Sequence, residues 1–152
     1  MFFSVKQFLK DEQATLEFGA KLADWLPQKG IIFLHGRLGA GKTTLVRGLL
    51  RAAGHQGNTK SPTYTLVEPY QVDGQIFYHF DLYRLSDPEE LEYMGFRDYL
   101  DENSLCLIEW PEKASNFLPK ADLELTLSYE GEHRSIKLEL QNPDWKKLAV
   151  FE

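Results

Sequence analysis

The chain has 152 residues, a net charge of -6 and a sequence pI near 5.3. An acidic balance excludes a general nucleic-acid platform, because phosphate contacts need clustered Lys and Arg. With 43% hydrophobic and 26% charged residues, extensive disorder is excluded and one domain over residues 1–152 is expected to bury its own core.

In chain order, Met1 to Lys6 has neither the basic segment nor the apolar run of a signal peptide. No apolar stretch approaches the roughly 20 residues that cross a bilayer. We therefore expect a cytoplasmic protein with no membrane contact. Ala14, Phe18, Leu22 and Trp25 recur at helical spacing, which predicts a helix from about Asp11, its N-cap, to Leu26, with Pro27 ending it and Trp25 in the core. Ile31 to His35 is a continuous apolar run suited to a strand buried on both faces. A helix is predicted from Lys42 to Ala53, stopped by Gly54. Its basic residues Lys42, Arg47 and Arg51, with Lys60 beyond, read most simply as a solvated face.

His55 to Pro62 reads as a loop. Thr63 to Val72 and Gln75 to Asp81 read as strands around the turn Asp73-Gly74, with Tyr64, Tyr70 and Tyr78 packing on the hairpin. A short helix is expected from Pro88 to Met94, capped by Ser86 with Glu89 or by Asp87 with Pro88 in the first turn. Leu105 to Glu109 is a buried strand that carries the single cysteine, Cys106. One cysteine forms no internal disulfide, which suggests a reducing compartment, and here it reads as a small core residue. Leu123 to Tyr129 and Arg134 to Leu140 form a last pair around Gly131. Strand–helix units mixed with hairpins predict an α/β fold on a mixed parallel and antiparallel sheet flanked by helices.

Between the Ile31 strand and the Lys42 helix, Gly36-Arg37-Leu38-Gly39-Ala40-Gly41-Lys42-Thr43 matches G-x-x-x-x-G-K-[ST] at every fixed position. This is the Walker A, or P-loop, signature, and it implies a P-loop NTPase-like fold. The glycines let the backbone turn tightly enough for its N–H groups to converge on phosphate oxygens, and the helix N-terminus adds partial positive charge. The candidate phosphate-binding residues are thus Gly36, Leu38, Gly39, Ala40, Gly41, Lys42, Thr43 and Thr44. Lys42 would reach the β- and γ-phosphates, and the Thr43 hydroxyl would hold magnesium.

Two carboxylates close buried strands. Ile76 to Phe80 leads into Asp81, and Leu105 to Ile108 leads into Glu109. Ligands of open α/β sheets bind beyond the carboxyl ends of the strands, so both acids are candidates for the Mg–phosphate region. One would bind or orient magnesium and the other would position or deprotonate the attacking water; the residues leave the assignment open. His35 and His79 read as structural histidines. Trp110, directly after Glu109, is placed either to cover the crevice or simply to pack. The guanine-specifying patterns N-K-x-D and D-x-x-G do not occur in the chain, which favours adenine. A small-molecule kinase shares the P-loop and the size, but needs an arginine-bearing lid, and Ser86 to Tyr99 contains only Arg97. A nucleotide-gated interaction module without turnover is the third class.

Four blocks narrow the choice. Leu34 to Thr44 is followed by Lys60-Ser61-Pro62-Thr63-Tyr64-Thr65-Leu66-Val67, then His79-Phe80-Asp81-Leu82-Tyr83-Arg84, then Leu107-Ile108-Glu109-Trp110-Pro111-Glu112. In this order and spacing they resemble the bacterial TsaE family, the ATPase of tRNA threonylcarbamoyladenosine (t6A) biosynthesis, from about Asp11 to Leu140. The resemblance implies weak hydrolysis of ATP to ADP by the chain alone, with Mg2+, and action beside the TsaD and TsaB proteins. Those proteins place the modification on adenosine 37 of tRNA, so tRNA would be met only indirectly. It also implies that Thr43 and Glu109 match the magnesium site, with Asp81 the essential acid of its block and a further candidate ligand. Lys42, Asp81 and Glu109 are then the catalytic candidates. By the same resemblance the Ser61-Pro62-Thr63 segment is a switch-like loop, Trp110 is an aromatic beside the site, and Asp11 and Arg134 approach the nucleotide.

Overall fold

A computed structural model describes residues 2–101 and 103–151. The elements in chain order are β1 (Phe3–Leu9), α1 (Glu12–Ala23), β2 (Gly30–His35), α2 (Lys42–Ala53), β3 (Val67–Val72), β4 (Gln75–Asp81), α3 (Glu89–Tyr93), α4 (Phe96–Asp101), β5 (Ser104–Glu109), β6 (Leu123–Glu130) and β7 (His133–Leu140). Short 3-10 turns occupy Pro111–Ala114 and Lys146–Phe151. All seven strands form one sheet in the order β1-β7-β6-β2-β5-β4-β3. β2 runs parallel to β5 and β6, and β4 runs parallel to β5; the β1–β7, β6–β7 and β3–β4 pairs are antiparallel. The sheet is mixed, as the alternation of βα units and hairpins predicts.

Alternation along the strands divides the core in two. On one face Ile32, Leu34, Phe77, Leu105, Leu107, Leu123 and Leu125 pack against Phe18, Leu22, Leu45, Leu49 and Leu50 of α1 and α2. On the other, Tyr78, Phe80, Cys106 and Ile108 pack against Leu91 and Phe96 of α3 and α4. Cys106 is a core residue, as read. The two helices of the first face meet backbone to backbone. A Cβ on Gly19 would lie 2.3 Å from the Leu45 carbonyl oxygen, and one on Gly48 would lie 2.2 Å from that of Leu16. Only glycine permits that approach, and it sets where the N-terminus of α2 sits.

Several boundaries match the sequence. α2 begins at Lys42 and stops at Gly54 in the left-handed region. The hairpin turn uses positive φ at Asp73 and Gly74. Helix α3 starts at Glu89 with Pro88 as its N-cap, and Asp87 Oδ1 just before it accepts from the Glu89 N–H at 3.0 Å, while among the described residues no such bond links Ser86 and Glu89.

Other expectations need correction. Helix α1 stops at Ala23, where the Asp24 N–H turns back to the Leu22 and Lys21 carbonyls, and Trp25 is only partly buried against the core. The strand predicted from Thr63 begins at Val67, because Thr63 to Thr65 form a turn and Leu66 takes a left-handed φ of 69°. Tyr64 is therefore 82% exposed, while Tyr70 and Tyr78 are buried. Strand β1 was not anticipated. It pairs with β7 from Phe3↔Leu140 to Leu9↔Arg134, and its alternation is blurred by Phe8, an apolar residue on the exposed face, and by Gln7, an exposed polar residue in phase with Phe3 and Leu9. Helix α4 was also not anticipated. Among the described residues, no helix is long and apolar enough to cross a membrane.

Candidate functional site

β2 delivers the chain into the loop Gly36–Gly41, and α2 leaves it. Gly36, Gly39 and Gly41 take φ values of 143°, 78° and 107°, which side chains with a Cβ rarely adopt. Gly41 caps α2 without any side-chain hydrogen bond, so the first-turn N–H groups have no side-chain acceptor and suit an anion. The loop is braced from the β6–β7 hairpin. The Tyr129 hydroxyl donates to the Gly39 carbonyl, and Arg134 Nη2 donates to the Tyr129 oxygen at 3.4 Å. Arg134 Nη1 is buried without a hydrogen-bond partner, and a Cβ on Gly41 would lie 3.0 Å from it.

Lys42 is not on a solvated face. It is buried, its Nζ donates to the Gly36 carbonyl and lies 3.9 Å from the centre of the Trp110 ring. Burial pushes the ammonium below its ordinary pKa, against the opposing pull of Glu109, Asp81 and Glu112. The other basic residues of the stretch lie outside this arrangement: Arg47 pairs with Glu12 at 2.9 Å, and Arg51 is exposed.

The two strand-ending acids are register partners across β4 and β5, Asp81↔Glu109, and both are buried. Glu109 Oε2 accepts from Thr43 Oγ1 at 3.3 Å and from His79 Nε2 at 2.6 Å. Asp81 accepts from the Tyr83 N–H at 3.0 Å and from Thr63 Oγ1 at 3.3 Å. Thr63 in turn lies 2.7 Å from Ser61 Oγ. Burial first, and the Glu109 charge after it, raise the Asp81 pKa above the usual carboxylate range; the Tyr83 and Thr63 hydrogen bonds and His79 act in the opposite sense. Trp110 takes a left-handed φ of 57° and packs its ring 5.0 Å from that of Tyr83. A bulky residue held in that region marks backbone constrained by its surroundings.

These groups line a cavity of about 260 Å³ formed by Glu12, Leu38, Gly39, Gly41, Lys42, Thr43, Thr44, Ser61, Thr63, Asp81, Glu109, Trp110 and Arg134. Most of the sequence candidates thus meet in one place. Gly36 and Ala40 shape the loop without lining the cavity. Asp11 does not line it either; its carboxylate caps α1 by accepting from the Ala14 N–H at 2.9 Å. Glu12 and Tyr129 were not anticipated, and neither belongs to a motif. His35 pairs with Glu124 at 2.8 Å on the far side of β2, away from the loop cavity.

The donor set suits a nucleotide with a divalent cation. Among the described residues no group of three or more His, Cys, Asp or Glu side chains is arranged to hold a metal alone. Magnesium at phosphate sites needs only one or two carboxylates plus the phosphates themselves. Thr43 and Glu109 beside an amide-lined loop fit that requirement.

Comparison with known proteins identifies the family and the fold. Residues 9–136 match the family profile described as threonylcarbamoyl adenosine biosynthesis protein TsaE. A Haemophilus influenzae protein named tRNA threonylcarbamoyladenosine biosynthesis protein TsaE is 54% identical over 140 residues, covering 89% of each chain. A Synechocystis protein of the same name is 44% identical over 114 residues, 72% of each chain. The crystal structure of Bacillus subtilus YdiB shares the fold with a TM-score of 0.82 at 24% identity, covering 99% of this chain and 94% of that one. With most of its length inside the profile and such relatives beside it, the chain belongs to the TsaE family.

Proposed function

We propose that the chain binds ATP and hydrolyses it, weakly alone and faster with partners, as the nucleotide-driven subunit of tRNA t6A modification in the cytoplasm. The partners are TsaD and TsaB, with tRNA reached through them. The observation that carries the reading is the convergence of the glycine loop, Lys42 and the paired acids Asp81 and Glu109 on one cavity. In this reading the loop amides from Leu38 to Thr44 and the Lys42 ammonium hold the phosphates. Arg134, with a buried nitrogen that has no protein acceptor, offers further positive charge. A magnesium ion held by Thr43 and Glu109 would supply charge neutralisation on the phosphates.

Asp81 lies one strand further from Thr43 and carries the raised pKa, which suits it to orient the attacking water and draw on its proton. Through Thr63 it also touches the Ser61–Thr63 segment. That contact gives the loop a way to sense phosphate and to report it to a partner. Helices α3 and α4 pack on the second core, and none of their residues lines the site. The kinase lid is therefore not favoured.

The test is ATP hydrolysis by the purified chain, alone and with TsaD, TsaB and tRNA. Stimulation by the partners that is lost in Lys42→Ala supports the proposal. Phosphate appearing on a small acceptor would replace it with a kinase, and unchanged hydrolysis with intact binding would replace it with an interaction module.

A further inference from the structure

The site holds one buried group that the proposed chemistry leaves unused. His79 lies in β4, two residues before Asp81, and its side chain is fully buried. By strand alternation it shares the α1–α2 face with Phe77 and Asp81, and its register partner on β5 is Leu107. A fully buried imidazole is costly to desolvate unless it is hydrogen-bonded. This ring makes one hydrogen bond, from Nε2 to Glu109 Oε2 at 2.6 Å, and its Nδ1 has no partner. The one hydrogen bond this ring makes is thus to a single carboxylate oxygen.

That oxygen also accepts the Thr43 hydroxyl at 3.3 Å. Both contacts fall on Oε2, and no hydrogen bond from the described residues reaches Oε1. The carboxylate is thereby held through one oxygen, from β4 by His79 and from α2 by Thr43, and its second oxygen is left without a hydrogen bond from the described residues. Carboxylates that bind metals depend on such outer partners for their orientation, and losing one typically weakens metal affinity about 10- to 100-fold.

We infer that His79 is a positioning residue: by holding Glu109 Oε2 it orients Glu109 toward the nucleotide's divalent cation and sets how tightly that cation is held. The inference rests on the proposed Mg–ATP site. It assigns His79 no contact with nucleotide and no part in proton transfer to substrate.

The test is calorimetric titration of ATP into the full chain at a series of Mg2+ concentrations and again in chelator. His79→Leu keeps the volume and removes the donor. His79→Gln presents an amide N–H near the place of Nε2, and His79→Asn remains polar but is too short to do so. Leu and Asn are expected to raise the Mg2+ concentration needed for half-maximal ATP binding about tenfold or more. Their affinity for ATP in chelator should stay within about twofold of wild type, and Gln should restore the Mg2+ requirement to near wild type. In a Glu109→Gln background, His79→Leu should add nothing.

If Leu does not fold, the contrast between Asn and Gln carries the test. An unchanged Mg2+ requirement, equal behaviour of Asn and Gln, or an equal loss of ATP affinity in chelator would overturn the inference and leave His79 a packing residue. A wild-type chain that binds no ATP, or binds it without regard to Mg2+, would instead remove the site assignment on which the inference rests.

Discussion

Two of the molecule's cavities make a useful contrast, and the larger offers fewer unspent polar groups. A cavity of about 830 Å³ is lined by Phe33, His35, Leu118, Asp122, Glu124 and Asn142 among others. The loop cavity is only about 260 Å³. In the larger one Asp122 and Glu124 are already satisfied. Asp122 accepts from the Ile31 N–H and from Asn142, and Glu124 is shared by His35 and Gln141. In the smaller one Lys42 and Asp81 are pushed from their ordinary pKa values, Arg134 keeps a buried nitrogen without a partner, and Trp110 holds a left-handed backbone. Volume measures where a molecule fits. Unspent polar groups and constrained backbone mark where the protein forgoes stability to keep chemistry available.

The contrast is sharpest at Lys42. Lys42→Ala removes a charge-assisted phosphate contact worth about 1.5–3 kcal/mol. We expect ATP affinity to fall by roughly one to two orders of magnitude and turnover to become undetectable, read by calorimetry and phosphate release. Unchanged affinity would dissolve the distinction between the cavities.

Asp81→Asn should come next, lowering turnover by about 100-fold or more while ATP binding is kept. It should also raise thermal stability at neutral pH. The folded state holds the Asp81 proton more tightly than the unfolded chain does. Below the ordinary carboxylate range both states are protonated; above the raised pKa both are ionised, and the folded state bears a buried charge. The gain from Asn is therefore expected at neutral pH and should vanish as pH falls through that window. For the same reason wild-type turnover should fall on acidification at a higher pH than an ordinary carboxylate would give. A stability difference that grew in acid would contradict this.

Gly48→Ala tests the seat of α2. Forcing the Leu16 backbone away should cost about 1–3 kcal/mol, and at roughly 2–4 °C per kcal/mol the lower melting temperature is readily measured. The smallest effect is expected in the larger cavity. Glu124→Gln breaks a pair whose side chains are 29% and 30% exposed, so the cost should stay below about 1 kcal/mol, with turnover unchanged. A several-fold loss of turnover would give that cavity a role in the reaction.

Much of this division was legible in the residues. The loop motif, the bounds of α2, and Asp81 and Glu109 as strand-ending acids follow from glycine spacing and apolar runs, which are local signals. What was missed depends on distant contacts. β1 exists because β7 supplies its partner, and its exposed Phe8 and Gln7 hide the alternation. The late start of β3 follows from the turn that brings Thr63 onto Asp81. Glu12 and Tyr129 reach the site from elements remote in sequence, without a motif to announce them. Asp11 is the N-cap that its position predicts, and it does not line the cavity as the resemblance implies. His79 looks like any buried histidine until Glu109 is seen beside it.

The central claim is that nucleotide enters the smaller cavity. The most direct measurement is amide-resolved NMR of the chain titrated with Mg–ATP. The account predicts the largest shifts at residues 38–44, with secondary shifts at Thr63, Asp81 and Glu109 and none across residues 115–124. Shifts centred on residues 115–124 with the glycine loop silent would contradict it.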